Sequence, residues 1–134
     1  MEFDKYFLTE CNVYLHHLEY DMLTLGGEPK LTVTDSVASY DLDEEKVRIE
    51  IARSVSAANN KLFYIKAVYG IILTKNPLVI NEMDWSSVNV ADEFKKSKKN
   101  LMNNIASRLS MLIANVTSSS GVIPVITPPQ IIGQ

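Results

Sequence analysis

Two histidines stand side by side in "CNVYLHHLEYDM", and His16-His17 is the one place in this sequence where a metal ion or a general base could be imagined. Neighbours on a regular strand point to opposite faces, so the two imidazoles cannot share an ion without a bulge. His17 and Glu19, two apart, share a face and can touch. With no nucleophile beside them, a surface contact accounts for that pair better than an acid–base dyad. Cys11, the single cysteine, has no base placed by sequence to activate it and reads as a packing residue. The acids Asp41, Asp43, Glu44 and Glu45 lack the Gly and distal Glu of a calcium loop and read as a solvated turn. Gly26-Gly27 lacks the rest of a phosphate-binding pattern, and neither CxxC nor HExxH occurs. These residues argue against an enzyme and name no cofactor or metal. Binding is the remaining class, with a small-ligand or catalytic role for His17 and Glu19 as a distant alternative.

The elements that must present a binding surface follow from pattern. The chain has 134 residues, is 46% hydrophobic and 22% charged, and carries a formal net charge of -3. That suits a single domain over 1–134 with a core of its own and disfavours nucleic acid as a partner. One cysteine and the absence of a signal-peptide pattern in "MEFDKYFLTE" fit a cytoplasmic setting with no membrane insertion. "NVT" at Asn115 fits a glycosylation sequon by chance.

Strand patterns fill the first half. The period of two places Val13, Leu15 and His17 on one face of the first, with Tyr14, His16, Leu18 and Tyr20 on the other. "GGEP" marks a turn or loop. "KLTVTDSVASYDL" suits a second strand. In "KVRIEIARSVSA", Val47, Ile49, Ile51 and Val55 point one way, while Arg48, Glu50 and Arg53 interrupt elsewhere. "ANN" (58–60) is a hairpin turn candidate, and "KLFYIKAVYGIIL" follows, apolar on both faces. A helix can cover one face of that fourth strand; the other points to oligomerisation, with a sheet folded over on itself within one chain as the alternative.

Residues 76–93 read as irregular with a helical turn. A helix is expected over about 93–117, with Leu101, Ile105, Leu109, Leu112, Ile113 and Val116 as its buried stripe, Asn100 as N-cap and Gly121 as its stop. The expected fold class is α+β: a four-stranded antiparallel sheet with one long C-terminal helix on one face.

Beyond the helix stands "NVTSSSGVIPVITPPQ", an apolar segment whose prolines keep it extended and unable to donate into a ladder. "LIANVTSSSGVIPVITPPQI" (112–131) resembles the ending of the SecB-type protein-export chaperones, with Asn115-Val116-Thr117, Gly121, Pro124 and Pro129 in register. "VYLHHLEYDM" resembles that family's first strand, and "YGIIL" (69–73) the close of its fourth. The resemblance implies a divergent SecB-like protein. Its expected form is a homotetramer, a dimer of dimers, with apolar grooves for unfolded or precursor polypeptides. The implied activity is an ATP-independent holdase in protein transport. The alternative is a dedicated SecB-like adaptor or chaperone for one partner, such as an antitoxin or a phage protein.

On this reading the polypeptide-binding groove draws on Leu109, Leu112 and Ile113 with Val122, Ile123, Val125 and Ile126, and on Phe63, Tyr64 and Trp85; the alternative is a tail that packs on the chain's own core. The family docks the SecA translocation motor through strand-borne acids. Glu19 and Asp21 are the docking candidates, His17 falls where one such acid is expected, and Ile65 or Ala67 near another.

Overall fold

In the computed structural model, residues 1–22, 30–57, 63–119 and 124–133 are described. Four strands form one antiparallel sheet: β1 (Asn12–Met22), β2 (Leu31–Asp41), β3 (Lys46–Ala57) and β4 (Phe63–Thr74). Their order is β1-β4-β3-β2, so consecutive strands β1 and β2 sit at opposite edges. The fold is α+β, as the strand and helix periods predict. Among the described residues no helix is long and apolar enough to cross a membrane.

One sheet face is the core. Val47, Ile49, Ile51 and Val55 of β3 and Phe63, Ile65, Ala67 and Ile71 of β4 all point to it and are fully buried. Over this face runs α3 (Lys99–Ser119), lying across β4 and β3. Its fully buried stripe is Ile105, Leu109 and Ile113 with Met102, Ala106 and Thr117 at or near zero exposure, while Leu101, Leu112 and Val116 are only half-buried. The stripe is thus turned toward the small residues Ala106 and Thr117.

The expected single helix is two. A separate α2 (Val90–Ser97) packs against β2, and the break falls at Lys98, whose φ of -120° and ψ of 44° leave the helical region. The true N-cap is Asn89, whose side chain accepts from the Asp92 N–H at 3.1 Å; Asn100 lies inside α3. The N-terminal residues, which show no pattern, form α1 (Phe3–Tyr6). This turn inserts Phe3 and Phe7 beside Phe94 of α2, with the Phe3 and Phe7 rings stacked at 4.6 Å and the Phe3 and Phe94 rings edge to face at 6.0 Å. Between β4 and α2 the irregular crossover holds two short 3₁₀ turns, Ile80–Glu82 and Trp85–Ser87.

The Asp41–Lys46 connection is the solvated turn its acids predict. Asp43 Oδ1 accepts the N–H groups of Glu45 at 2.7 Å and Lys46 at 2.8 Å. Gly26, Gly27, "ANN" (58–60) and Gly121 lie outside the described residues.

Candidate functional site

Strict alternation along β3 puts Arg53 between Ile51 and Val55 on the core face, not on the other as the charge pattern suggested. Its neighbour in register on β2 is Asp35, and both side chains are completely buried. The carboxylate takes two parallel hydrogen bonds, Arg53 Nε to Oδ1 and Nη2 to Oδ2, each 2.8 Å. The remaining donors go to the C-terminal tail. Nη1 donates to Thr127 Oγ1 at 3.0 Å and to the Pro128 carbonyl, and Nη2 donates to the Gln130 carbonyl at 2.7 Å. All five N–H groups of the guanidinium are therefore engaged. Asp35 Oδ2 in turn accepts the Ile132 N–H at 2.8 Å.

Helix α3 holds the other side of the same segment. Ser110 Oγ donates to the Thr127 carbonyl at 2.7 Å, Ser107 Oγ to the Pro129 carbonyl at 3.3 Å, and Thr117 Oγ1 accepts the Val125 N–H at 2.8 Å. Pro128 and Pro129 bring carbonyls without N–H groups, so a tail of this composition can be held by donors alone. The prolines keep it extended, and Arg53 and two serines fix it in place between α3 and the β2–β3 side of the sheet.

An extended tail alternates. Val125 turns in toward Ile113, Phe63 and Val55. Thr127 is buried beside Arg53, and between them Ile126 stands 76% exposed. Of the residues that the sequence assigns to a groove, Leu109, Ile113 and Phe63 are core in this chain, each at 0% exposure. Leu112 is half-buried on the flank of α3, and Tyr64 is half-buried on the opposite sheet face. Trp85 sits apart in the crossover, its Nε1–H donating to the Ile80 carbonyl at 2.8 Å and the Lys75 ammonium 4.4 Å from its ring centre. Val122 and Ile123 lie outside the described residues. Phe63, Ile113 and Val125 are thus brought together, and Ile126 presents itself outward above them.

A second apolar surface is left open. The tail occupies the Ser107–Ser110 flank of α3, on the β2–β3 side. Helical periodicity puts Leu101, Leu112 and Val116 on the other flank, toward β1. The face of β1 on that side carries Val13, Leu15, Leu18, Tyr20 and Met22. Leu15 and Leu18 remain 44% and 40% exposed. Val13, Tyr20 and Met22 pack partly against the core, so the exposed part of the strip is Leu15 and Leu18.

β1 owes that pattern to a bulge at His16, where Leu15 pairs with Tyr69 but His17 already pairs with Val68. The extra residue reverses the alternation read from sequence: Leu18 and Tyr20 join Val13 and Leu15, while His17, Glu19 and Asp21 lie on the outer face. No spacing rule announces a bulge. On the outer face His17 Nε2 meets Glu19 Oε1 at 2.9 Å, and His16 Nε2 lies 3.6 Å from Glu50 Oε2. His17 and Glu19 are about half exposed, at 48% and 49%. Among the described residues, no three of His, Cys, Asp and Glu come together as a metal site. The pair of His17 and Glu19 is a half-exposed surface contact. Ile65 and Ala67, aligned with a docking acid, point inward and are fully buried. Of the expected docking acids, Glu19 and Asp21 are the two that stand on the outer face.

No protein-family profile matches the chain, and no curated protein matches it by sequence. Solved structures do match. The SecB-like chaperone Rv1957 of Mycobacterium tuberculosis, solved in complex with a ChAD peptide from the Rv1956 HigA1 antitoxin, superposes with a TM-score of 0.59 at 7% identity. The match covers 87% of this chain and 83% of that one. The fold is SecB-like. A protein of unknown function from Streptococcus agalactiae is similar at 17% identity and a TM-score of 0.43, over 89% of this chain and 97% of its own. The four-stranded antiparallel sheet and the long C-terminal helix match the SecB-like fold of Rv1957.

Proposed function

We propose that this protein is a SecB-like chaperone or adaptor that binds extended apolar segments of other polypeptides without ATP. The observation that carries it is the tail. A buried arginine and two helix serines hold a proline-rich strip extended, with Ile126 outward, while the strip of β1 with Leu15 and Leu18 lies uncovered on the other flank of α3. Extended apolar strips on a rigid frame fit an incoming chain that pays little to order the binding surface. Burial at roughly 25 cal/mol per Å² would supply the affinity. The role is binding rather than catalysis, and the setting we infer is cytoplasmic.

The same reading makes a second copy of the chain one of its partners, in a dimer or tetramer that covers part of the β1 strip. A general role in export with the SecA motor is the broader form of the proposal. Client service to a single partner is the narrower form, and the antitoxin peptide bound by the SecB-like neighbour favours it.

Titration with several unrelated, chemically unfolded proteins tests the reading. Saturable binding to many supports the general holdase. Binding to none, with capture of one native partner, supports the dedicated adaptor. A small-molecule screen that raises the melting temperature through His17 and Glu19 would instead support a ligand-binding domain.

A further inference from the structure

Four of the 13 Lys and Arg residues fall within five positions, at Lys95, Lys96, Lys98 and Lys99. Without them nine cations would face 16 Asp and Glu, so the rest of the molecule is strongly acidic and the positive charge is concentrated at one place. That place is the break between α2 and α3. Lys95, Lys96 and Lys99 share one surface with Asp92 there, and Lys98 stands at the break itself.

Among the described residues this corner borders several clefts, a shallow one of about 320 Å³ being lined by Lys95, Lys96 and Lys99 with Asp92. Another, of about 510 Å³, has the exposed Leu8 and the half-buried Leu101 on its apolar side, beside the buried Phe3 and Phe94, and Lys96, Lys98 and Lys99 among its lining. A third, of about 250 Å³, is lined by Lys95, Lys99, Met102 and Ile131, so Lys99 borders all three. Three of the lysines touch an acid: Lys95 to Asp92 at 3.3 Å, Lys96 to Glu93 at 3.9 Å and Lys98 to Asp4 at 2.6 Å. An ammonium has three N–H donors and exposed pairs of this kind contribute little, so Lys96, 74% exposed, and the exposed Lys99 can take a further anion.

We propose that this lysine corner docks an acidic segment of a partner polypeptide, an apolar side chain entering the largest cleft and carboxylates meeting Lys95, Lys96 and Lys99. A short peptide fits better than a nucleic acid. Phe3 and Phe94 are buried at 4% and 0% exposure and offer no face on which bases could stack. A polyanion longer than the corner would also run onto acidic surface. The largest cleft includes neither the exposed Ile126 nor Leu15 and Leu18, the smallest one borders the tail at Ile131, and binding here stands or falls separately from the function proposed above.

Fluorescence anisotropy of a labelled twelve-residue peptide alternating Glu and Leu tests it, beside a counterpart with Gln for Glu. The proposal predicts saturable binding of the Glu peptide. It predicts at least about tenfold weaker binding of the Gln peptide, and a similar loss in Lys95→Gln/Lys96→Gln/Lys99→Gln, a tenfold change being about 1.4 kcal/mol. Raising salt weakens the interaction. The Glu peptide also slows alkylation of Cys11, which lines the largest cleft and is the chain's single cysteine. Equal binding of the Glu and Gln peptides, an unaffected triple variant, or single-stranded oligothymidylate binding as tightly as the Glu peptide would overturn it.

Discussion

Arg53 and Asp35 meet across neighbouring strands, Nε on Oδ1 and Nη2 on Oδ2, and the same guanidinium holds the carbonyls of Pro128 and Gln130. A buried charged pair usually stabilises little more than an apolar pair of the same size. Here it also ties the C-terminal strip to the sheet. Arg53→Met leaves Asp35 charged and buried, and an unfolding titration should show a loss of about 3–5 kcal/mol. In Arg53→Met/Asp35→Leu much of that loss returns, because no unpaired charge remains. The tail should still come free in the double variant, seen as faster proteolysis near Ile126. A double variant with its tail as protected as in the parent would show that the pair is not the anchor.

Tyr14 lies over Gly70 on the outer face of the sheet. A Cβ built at Gly70 would come within 2.6 Å of Tyr14 Cζ, closer than atoms can approach. Gly70→Ala should therefore destabilise by about 1–3 kcal/mol through displacement of the ring. Adding Tyr14→Ala removes the clash, so the two substitutions together should cost less than their separate effects summed. Strict additivity in thermal melts would contradict the contact.

The Asp43 carboxyl is held below its ordinary value of 3.8 by the N–H groups of Glu45 and then of Lys46. A lowered carboxyl pKa stabilises the fold above the ordinary value, and the contribution is lost as pH falls through the folded value. Asp43→Ala should melt below the parent at pH 7. The gap should hold down to about pH 4 and close under more acid conditions. A gap independent of pH would mean that the side chain acts through something other than its charge.

Outward and inward residues of the candidate site should separate cleanly. Ile126→Ser changes an exposed side chain and should alter stability by less than about 0.5 kcal/mol, while weakening capture of unfolded polypeptide several-fold. Leu109→Ala opens a cavity in the core and should cost about 2–5 kcal/mol. Loss of capture in a fully folded Leu109→Ala protein, with Ile126→Ser unaffected, would place the binding surface elsewhere.

The fold was readable wherever one period ran unbroken. Val47, Ile49 and Ile51 alternate without interruption, and Ile105, Leu109 and Ile113 repeat at helical spacing, so strand and helix both follow from elementary geometry. Legibility failed where a single residue changed the rule. His16 adds one position to β1 and turns Leu18 and Tyr20 inward, and Lys98 divides a helix that lysine, a good helix former, gives no reason to break. Arg53 was legible in principle: the period of two puts it on an apolar face, where a charge requires a partner, and Asp35 is the carboxylate on the next strand. The tail's extended form follows from its prolines. Its anchor could not be read from them, because the donors come from β3 and α3, more than 70 and about 20 residues away in sequence.

The account requires other polypeptide on the apolar surface that one chain leaves open. Multi-angle light scattering of the purified protein, first alone and then with an unfolded, carboxymethylated protein, measures this directly. It should give a multiple of the 15.0 kDa chain mass, or a mass that rises to a stable complex with the unfolded chain. A species that stays at 15.0 kDa in both experiments would contradict the account.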